Sequence, residues 1–448
     1  MSRLFGTDGI RGLANAEPLT TELAFRLGRQ LAATLVEHHG VAKVRLVVGR
    51  DTRQSGPMLE GALVSGAMSA GADVFAVGVL PTPGIAYLTR YLEAHGGVVI
   101  SASHNPYEDN GIKVFSGRGE KFTEDVERHV ESIMADASWR VPSDGGLPPV
   151  EKTDVIDAYI AHALLALPNP ERLGRLKIAI DTANGATTTV APKLFTGAGF
   201  DVTVIGNEPD GRNINLNCGS THPERLAAMV SSGGYRLGVA FDGDGDRAIF
   251  VDHTGRIVDG DAVMLLCARH MQAQRRLKGN AIVATVMSNI GLELALKESG
   301  IELVRCPVGD KYVMEEMLRR DISIGGEQSG HIIFSEHLFT GDGIATALMV
   351  LRVMADTGRE LADLASELVA YPQVLVNVRV REKTDLRGVA PIAAAMDRVE
   401  RQLAGQGRLL IRYSGTEPLL RVMIEGRDQQ EIQQWAREIA DTVKEHLG

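Results

Sequence analysis

Cysteine is nearly absent from this chain. Its 448 residues include three, Cys218, Cys267 and Cys306, widely spaced and without a CxxC pair. That excludes a disulfide framework and a cysteine zinc site, and it predicts reduced thiols in a cytoplasmic protein. Long apolar runs are missing too. No segment is long enough to span a bilayer, and the start MSRLFGTDGIRG lacks an apolar signal core, so no membrane association is expected. Positive charge is in deficit. With 47 Lys and Arg against 57 Asp and Glu, the net charge of −10 argues against a general nucleic-acid binder. It leaves room for an anionic ligand, because a few clustered cations outweigh the overall balance locally. A P-loop is excluded, since no GxxxxGK[ST] string occurs.

What is present is glycine, 49 of it, and a repeated rhythm of short apolar runs and helical patterns. Residues 44–48 read as a strand, 57–70 as the helix after it and 73–77 as the next strand. Similar units begin at 177–180 (KIAI) and 281–286 (AIVATV). Strands alternating with helices predict an α/β protein. Thr20 and Thr21 before Leu23, Leu27, Leu31 and Leu35, with Gly40 after, predict an amphipathic helix with both ends marked. Asp428 and Glu431 stand at capping-box spacing before the stripe Ile432, Trp435, Ile439 and Val443. Breaks at 136–154, 252–259 and 369–373 divide the chain into four segments: 1–150, 151–255, 256–369 and 370–448.

Each segment carries one polar motif, and each motif follows an apolar strand. The first is Ser101-Ala102-Ser103-His104-Asn105-Pro106. Taken alone it reads as an Asn-Pro turn as well as it reads as a site for a nucleophilic serine. Asn110-Gly111 then predicts a hairpin turn, with 112–115 returning as a strand past the serine. Lys113, within that strand, could stabilise phosphate charge, and burial could lower its pKa toward proton transfer.

The second motif is Asp242-Gly243-Asp244-Gly245-Asp246-Arg247, between the strands 237–241 and 248–251. Three carboxylates at alternate positions repel one another unless a cation sits among them. Oxygen ligands suit Mg²⁺ or Ca²⁺. An EF-hand is excluded, because its glycine and glutamate positions hold Arg247 and His253. The third is Gly325-Gly326-Glu327-Gln328-Ser329-Gly330-His331, whose short polar side chains suit sugar hydroxyls. The fourth is Arg412-Tyr413-Ser414-Gly415-Thr416-Glu417-Pro418 with Arg421, a plausible phosphate cradle. Four such loops can surround one ligand and supply a nucleophile, a metal, hydroxyl-binding groups and a phosphate anchor.

In this order, FGTDGIRG, SASHNP, DGDGDR, GEQSGH and RYSGTEP resemble the α-D-phosphohexomutase superfamily along essentially the whole chain. The FGTDGIRG start and Gln328 in the third loop most resemble its bacterial phosphoglucosamine mutase branch. The resemblance implies a four-domain, heart-shaped architecture: three mixed α/β domains and a C-terminal domain like the TATA-box-binding protein. It implies interconversion of glucosamine 6-phosphate and glucosamine 1-phosphate on the route to UDP-N-acetylglucosamine and the cell wall, through a sugar 1,6-bisphosphate. It makes Ser103 the phosphorylated serine, with one Mg²⁺ held by Asp242, Asp244, Asp246 and the phosphoserine oxygen. Glu327 and Ser329 would bind sugar hydroxyls, and Arg412, Ser414, Gly415, Thr416 and Arg421 the substrate phosphate. Arg11, Lys113, His104 and Arg247 match polar positions of the catalytic site. A homodimer is compatible with it. A phosphoglucomutase/phosphomannomutase of broader specificity, a phosphatase on the same metal site and a non-catalytic sugar-phosphate sensor are the competing readings.

Overall fold

The computed structural model describes residues 4–6, 8–122, 124–134, 150–151, 155–414 and 418–448. Most of the segment break expected at 136–154 lies outside these residues. The chain forms two compact units, Met1–Met287 with Ile301–Glu367, and Ser288–Gly300 with Leu368–Gly448. Among the described residues no helix is long and apolar enough to cross a membrane. The three cysteines are buried and unbridged.

The first unit contains three sheets. The first is built from β1 (Ile10–Leu13), β2 (Arg45–Arg50), β3 (Asp73–Val79), β4 (Gly96–Ile100), β5 (Asp109–Ser116) and β6 (Val150–Glu151), in the order β1-β5-β4-β2-β3-β6. β2, β3, β4 and β6 run parallel, whereas β5 runs antiparallel to both neighbours, β1 and β4. The helices Thr21–His39 and Gly56–Ser69 cover one face. The first of them starts where the sequence marks it: Thr20 accepts the Leu23 N–H, and Gly40 closes the end in the left-handed region. Its apolar stripe, Leu27, Leu31 and Leu35, packs with Leu46, Val48, Val98 and Ile100 of the sheet.

The second sheet comprises β7 (Lys177–Asp181), β8 (Asp201–Ile205), β9 (Leu237–Phe241), β10 (Ala248–Asp252) and β11 (Ile257–Val258), ordered β11-β10-β9-β7-β8. The polar stretch 252–259 forms a hairpin that adds the edge strand β11. Arg256 N–H and Thr254 N–H both bond to Asp252, which tightens the turn. The third sheet comprises β12 (Ala281–Thr285), β13 (Glu302–Cys306), β14 (Ile324–Gly326) and β15 (Ile332–Phe334), ordered β13-β12-β14-β15.

The second unit holds the fourth sheet: β16 (Gln373–Arg379), β17 (Arg408–Tyr413) and β18 (Leu419–Glu425), antiparallel, with β18 central. The helices Ala390–Leu403 and Gln429–Leu447 pack on it around Ile392, Val399, Val422, Ile432, Ile439 and Val443. Asp428 caps the last helix through the N–H groups of Gln430 and Glu431. Three mixed α/β sheets followed by a small antiparallel one give the four-domain α/β architecture expected above.

The Asn110-Gly111 hairpin is not formed. Both residues lie inside β5, paired with Gly12 and Arg11 of β1. A strand with neighbours on both edges must stay extended to satisfy both. The chain turns earlier, where Asp109 N–H reaches the Pro106 carbonyl.

Candidate active site

β4 and β9 end in the serine and aspartate loops, at the carboxyl ends of their strands, where open α/β sheets present ligand sites. Ser103 is fully buried and left-handed, with φ of 52°. Its hydroxyl donates to Asp242 Oδ2 at 2.5 Å and lies 3.3 Å from His104 Nδ1. The two loops touch directly. A Cβ on Gly243 would stand 2.6 Å from the Ser103 carbonyl oxygen, so only glycine fits between the first two aspartates.

Asp242, Asp244 and Asp246 are buried and converge, each offering an oxygen within 4.8 Å of the others. Lys113, reaching in from β5, donates to Asp244 Oδ2 at 2.8 Å and Asp246 Oδ2 at 3.1 Å. Thr82 donates to Asp244 Oδ2 at 2.7 Å, and the Arg247 N–H to Asp242 Oδ1 at 3.1 Å. Asp244 Oδ1 is buried and accepts no hydrogen bond, whereas Asp246 Oδ1 faces His331 Nδ1 at 3.4 Å and Arg247 Nε at 3.7 Å. Three converging carboxylates, one with an orphaned oxygen, beside a serine hydroxyl make a hard, oxygen-only donor set that fits Mg²⁺.

The titration behaviour follows from this packing. Burial, then the neighbouring Asp246 and Asp244, push Asp242 well above the usual carboxylate range. Burial, the largest cause, opposes ionisation of Asp246 as well, but Lys113, His331 and Arg247 together outweigh it and hold that carboxyl low. Burial and the cations Arg247 and Arg11 pull His104 down to about 4, so it is a neutral imidazole near pH 7.

Lys113 departs from expectation. Burial does act to lower its pKa, but Asp244, Asp246 and Asp8, whose Oδ2 is 3.2 Å away, raise it well above the ordinary lysine value. Among these carboxylates Lys113 is held in its cationic form.

A cavity of about 410 Å³ opens over these loops, within the ~300–1,000 Å³ range of small-molecule pockets. Asp8, Arg11, His104, Arg247 and Glu327 line it. Arg11 bonds to the Ala102 carbonyl and Asn105 Oδ1, both at 3.2 Å, and pairs with Asp8. Arg247 and His331 form an isolated bridge that joins the second motif to the third. Glu327 Oε1 accepts the Gly309 N–H at 3.2 Å, and Ser329 donates to its Oε2 at 3.3 Å. Gln328 points elsewhere: its amide donates to Asp259 Oδ2 at 3.1 Å, the cap of the helix Gly260–Ala273.

Four consecutive stretches match the described domains of one family. Residues 2–141 match "Phosphoglucomutase/phosphomannomutase, alpha/beta/alpha domain I", 157–255 domain II, 259–371 domain III and 375–442 the C-terminal domain. The chain belongs to the phosphoglucomutase/phosphomannomutase family. Within this family it is 51% identical, over 448 residues and 99% of each chain, to the phosphoglucosamine mutase of Desulforamulus reducens. It is also 51% identical to that of Desulforudis audaxviator, over 99% of this chain and 98% of that one. It is thus a mutase of the bacterial phosphoglucosamine mutase branch.

Among solved structures, a phosphoglucomutase/phosphomannomutase family protein from Burkholderia thailandensis superposes with a TM-score of 0.81 at 24% identity, covering 99% of this chain and 97% of that one. The N-acetylphosphoglucosamine mutase of Aspergillus fumigatus, in complex with GlcNAc-6P and magnesium, superposes with a TM-score of 0.70 at 17% identity, covering 99% and 95%. Both show the family fold.

The first unit brings together Ser103, His104, Lys113, Arg11, Arg247, the three aspartates and Glu327, with Ser329 exposed beside Glu327. Arg412, Ser414 and Arg421 belong to the second unit; Gly415 and Thr416 lie outside the described residues. Sequence reasoning missed Asp8, although it lies within the FGTDGIRG string, and missed Lys121, which pairs with both Asp8 and Asp310. It also missed Asp51 and Arg53, which are fully buried. Those two follow an apolar strand just as the four motifs do, and that was their available signal.

Proposed function

We propose that this chain interconverts glucosamine 6-phosphate and glucosamine 1-phosphate through phospho-Ser103. The observation that carries the reading is the Ser103 hydroxyl, 2.5 Å from Asp242 within a converging aspartate cluster whose buried Asp244 Oδ1 accepts no hydrogen bond.

In the first half-reaction the bond between Ser103 Oγ and phosphorus breaks and a bond from substrate O1 to phosphorus forms. The hydroxyl proton of O1 must leave, and neutral His104 is an acceptor beside the serine. The resulting 1,6-bisphosphate turns over; its O6–phosphorus bond breaks as Ser103 Oγ bonds phosphorus, the serine gives up its proton, O6 gains one, and the 1-phosphate is released. Asp242, Asp244 and Asp246, with a phosphoserine oxygen, would hold Mg²⁺, which when bound neutralises charge on the phosphoryl group. Lys113 and Arg247 add fixed positive charge around the aspartates.

Arg11 orients the serine loop through Ala102 and Asn105. Glu327 and Ser329 are assigned to sugar hydroxyls, and Arg412, Ser414, Gly415, Thr416 and Arg421 to the non-reacting phosphate. The domain limits 1–150, 151–255, 256–369 and 370–448 belong to the same reading, as do a cytoplasmic location and a homodimer.

Intact mass of the phosphorylated enzyme tests it. Glucosamine 6-phosphate should remove one phosphate and yield the 1-phosphate, and Ser103→Ala should never carry phosphate or turn over. Equal turnover of glucose and mannose 6-phosphates would make the enzyme the broader mutase. Release of inorganic phosphate without isomeric product would make it a phosphatase.

A further inference from the structure

The loop that carries Ser103 is gripped from beneath by side chains that do not line the cavity. Arg53 follows β2 and is fully buried. A guanidinium has five N–H donors, and each of Arg53's finds an acceptor. Nε donates to Asp51 Oδ2 at 2.9 Å. Nη1 reaches the carbonyls of Pro106 and, at 3.0 Å, Asp109. Nη2 reaches the carbonyls of Ser103 at 2.8 Å and Asn105 at 2.9 Å.

Asn215 comes from the second sheet's side of the unit, on the segment between β8 and β9. Its amide donates to the same two carbonyls, Ser103 at 2.9 Å and Asn105 at 3.1 Å. The Ser103 N–H is held as well. It donates to Ser101 Oγ at 2.9 Å, and that hydroxyl donates to Asp51 Oδ2 at 2.6 Å.

We propose that Arg53 and Asn215 are positioning residues for phosphoryl transfer: a main-chain clamp that keeps Ser103 aimed at the aspartates whether or not it carries phosphate. The proposal rests on the reading of Ser103 as the phosphate carrier. A serine at φ of 52° persists only where its surroundings over-determine it. Here both polar groups of its backbone are occupied, and the carbonyl takes two donors, one for each lone pair. Every donor of the clamp goes to a backbone oxygen or to Asp51, and none to the Ser103 hydroxyl. Adding or removing phosphate at Oγ therefore breaks none of its bonds. A side-chain grip on Oγ would have to be remade in each half-reaction.

The clamp also ties the serine to the metal loop. A Cβ on Gly243 would meet the Ser103 carbonyl oxygen at 2.6 Å and Asn215 Nδ2 at 2.8 Å. The atoms that fix Ser103 are thus packed directly against the backbone that presents Asp242 and Asp244. Misplacing the reacting oxygen by about 1 Å costs about a hundredfold in rate, while binding of a substrate that leans on other groups need not change.

The cleanest test is Asn215→Gly. Asn215 sits at φ of 59°, so glycine accepts its backbone and only the amide is lost. With full-length phosphorylated enzyme, Mg²⁺ and glucosamine 6-phosphate, kcat should fall about ten- to a hundredfold while KM stays within about twofold. Single-turnover loss of phosphate from Ser103, read by intact mass, should slow by the same factor. Arg53→Lys, which keeps the charge beside Asp51 but loses the fork, should act in the same direction. Unchanged kcat in a folded Asn215→Gly enzyme would overturn the clamp. So would a fall that tracks the unfolded fraction, or one shared equally by kcat and kcat-independent substrate binding. If wild type itself kept its phosphate under these conditions, the carrier reading would fall first, and wild type and variants would fail alike.

Discussion

The serine–aspartate cluster and the arginine pair of the C-terminal sheet treat charge in opposite ways. In the first, acids and bases are interleaved: Lys113 touches three aspartates, and Arg247 and Arg11 stand close by. Asp246 Oδ1 faces His331 and Arg247, and Asp244 Oδ1 is left buried with no hydrogen bond. In the second, Arg412 and Arg421 are directly opposite each other on β17 and β18. Burial and then Arg421 pull the Arg412 pKa below its ordinary value. Like charges opposite each other on a strand pair destabilise it. One region thus interleaves opposite charges, and the other sets two like charges side by side. The proposed mechanism assigns the metal to the first region and the non-reacting phosphate to the second.

The contrast breaks most readily at Asp244. Asp244→Asn removes charge from an orphaned oxygen while leaving Thr82 and Lys113 something to bond. Turnover should fall about a hundredfold or more, in line with the several kcal/mol a metal contributes to charge stabilisation. The Mg²⁺ concentration for half-maximal rate should rise in the same series of initial-rate measurements. An unchanged metal titration would mean that the cluster is balanced by Lys113 alone.

Asp342 tests whether the first unit balances every acid. Its partners are neutral donors: Tyr159 Oη, 3.0 Å from both oxygens, and the Ala345 N–H at 2.9 Å. Burial, the leading cause, pushes it up to about 6 from the model-compound value of 3.8. The folded state therefore binds this proton more tightly than the unfolded chain does. Its contribution to stability is complete below 3.8 and is lost as pH rises through about 6. At about 1.4 kcal/mol per pKa unit, the loss is about 3 kcal/mol. Urea unfolding between pH 4 and 7 should show wild type losing stability relative to Asp342→Asn, which mimics the neutral form and still caps its helix. Parallel pH profiles for the two proteins would mean that Asp342 is as well compensated as Asp246.

What the sequence revealed, and what it hid, divides along the range of the interactions involved. The DGDGDR loop was legible because its oddity is local: three carboxylates in five residues between apolar strands demand a cation wherever they fold. The helix from Thr21 was legible because its cap, stripe and terminal glycine lie within one short stretch. The Lys113 pKa was not, because its partners Asp8, Asp244 and Asp246 lie far away in sequence, and only the fold sets their charge against its burial. Asn110-Gly111 carried a strong turn signal that pairing with β1 overrode. Arg53 was missed because its burial depends on four carbonyls from the chain around the serine, which no local pattern announces. Gln328 suggested the amino sugar by resemblance, yet its amide bonds to a helix cap. Recognition of the 2-amino group is not explained by that side chain.

The arginine pair offers the gentlest test. If Arg421 binds only the non-reacting phosphate, it contributes equally to ground state and transition state. Arg421→Ala should then raise KM about tenfold, the scale of one hydrogen bond to a charged group, and change kcat little. The same variant relieves Arg412 of a like-charged neighbour, so thermal stability without ligand should hold or rise by up to about 1 kcal/mol. Inorganic phosphate separates the two effects. It should raise the melting temperature of wild type, because it binds the folded state alone, and do so less in the variant. A variant that loses stability without phosphate would show that β17 and β18 need both guanidiniums for their own packing. A variant whose kcat collapses at constant KM would show Arg421 acting on the moving phosphoryl group. Either result would remove the difference in kind between the two regions.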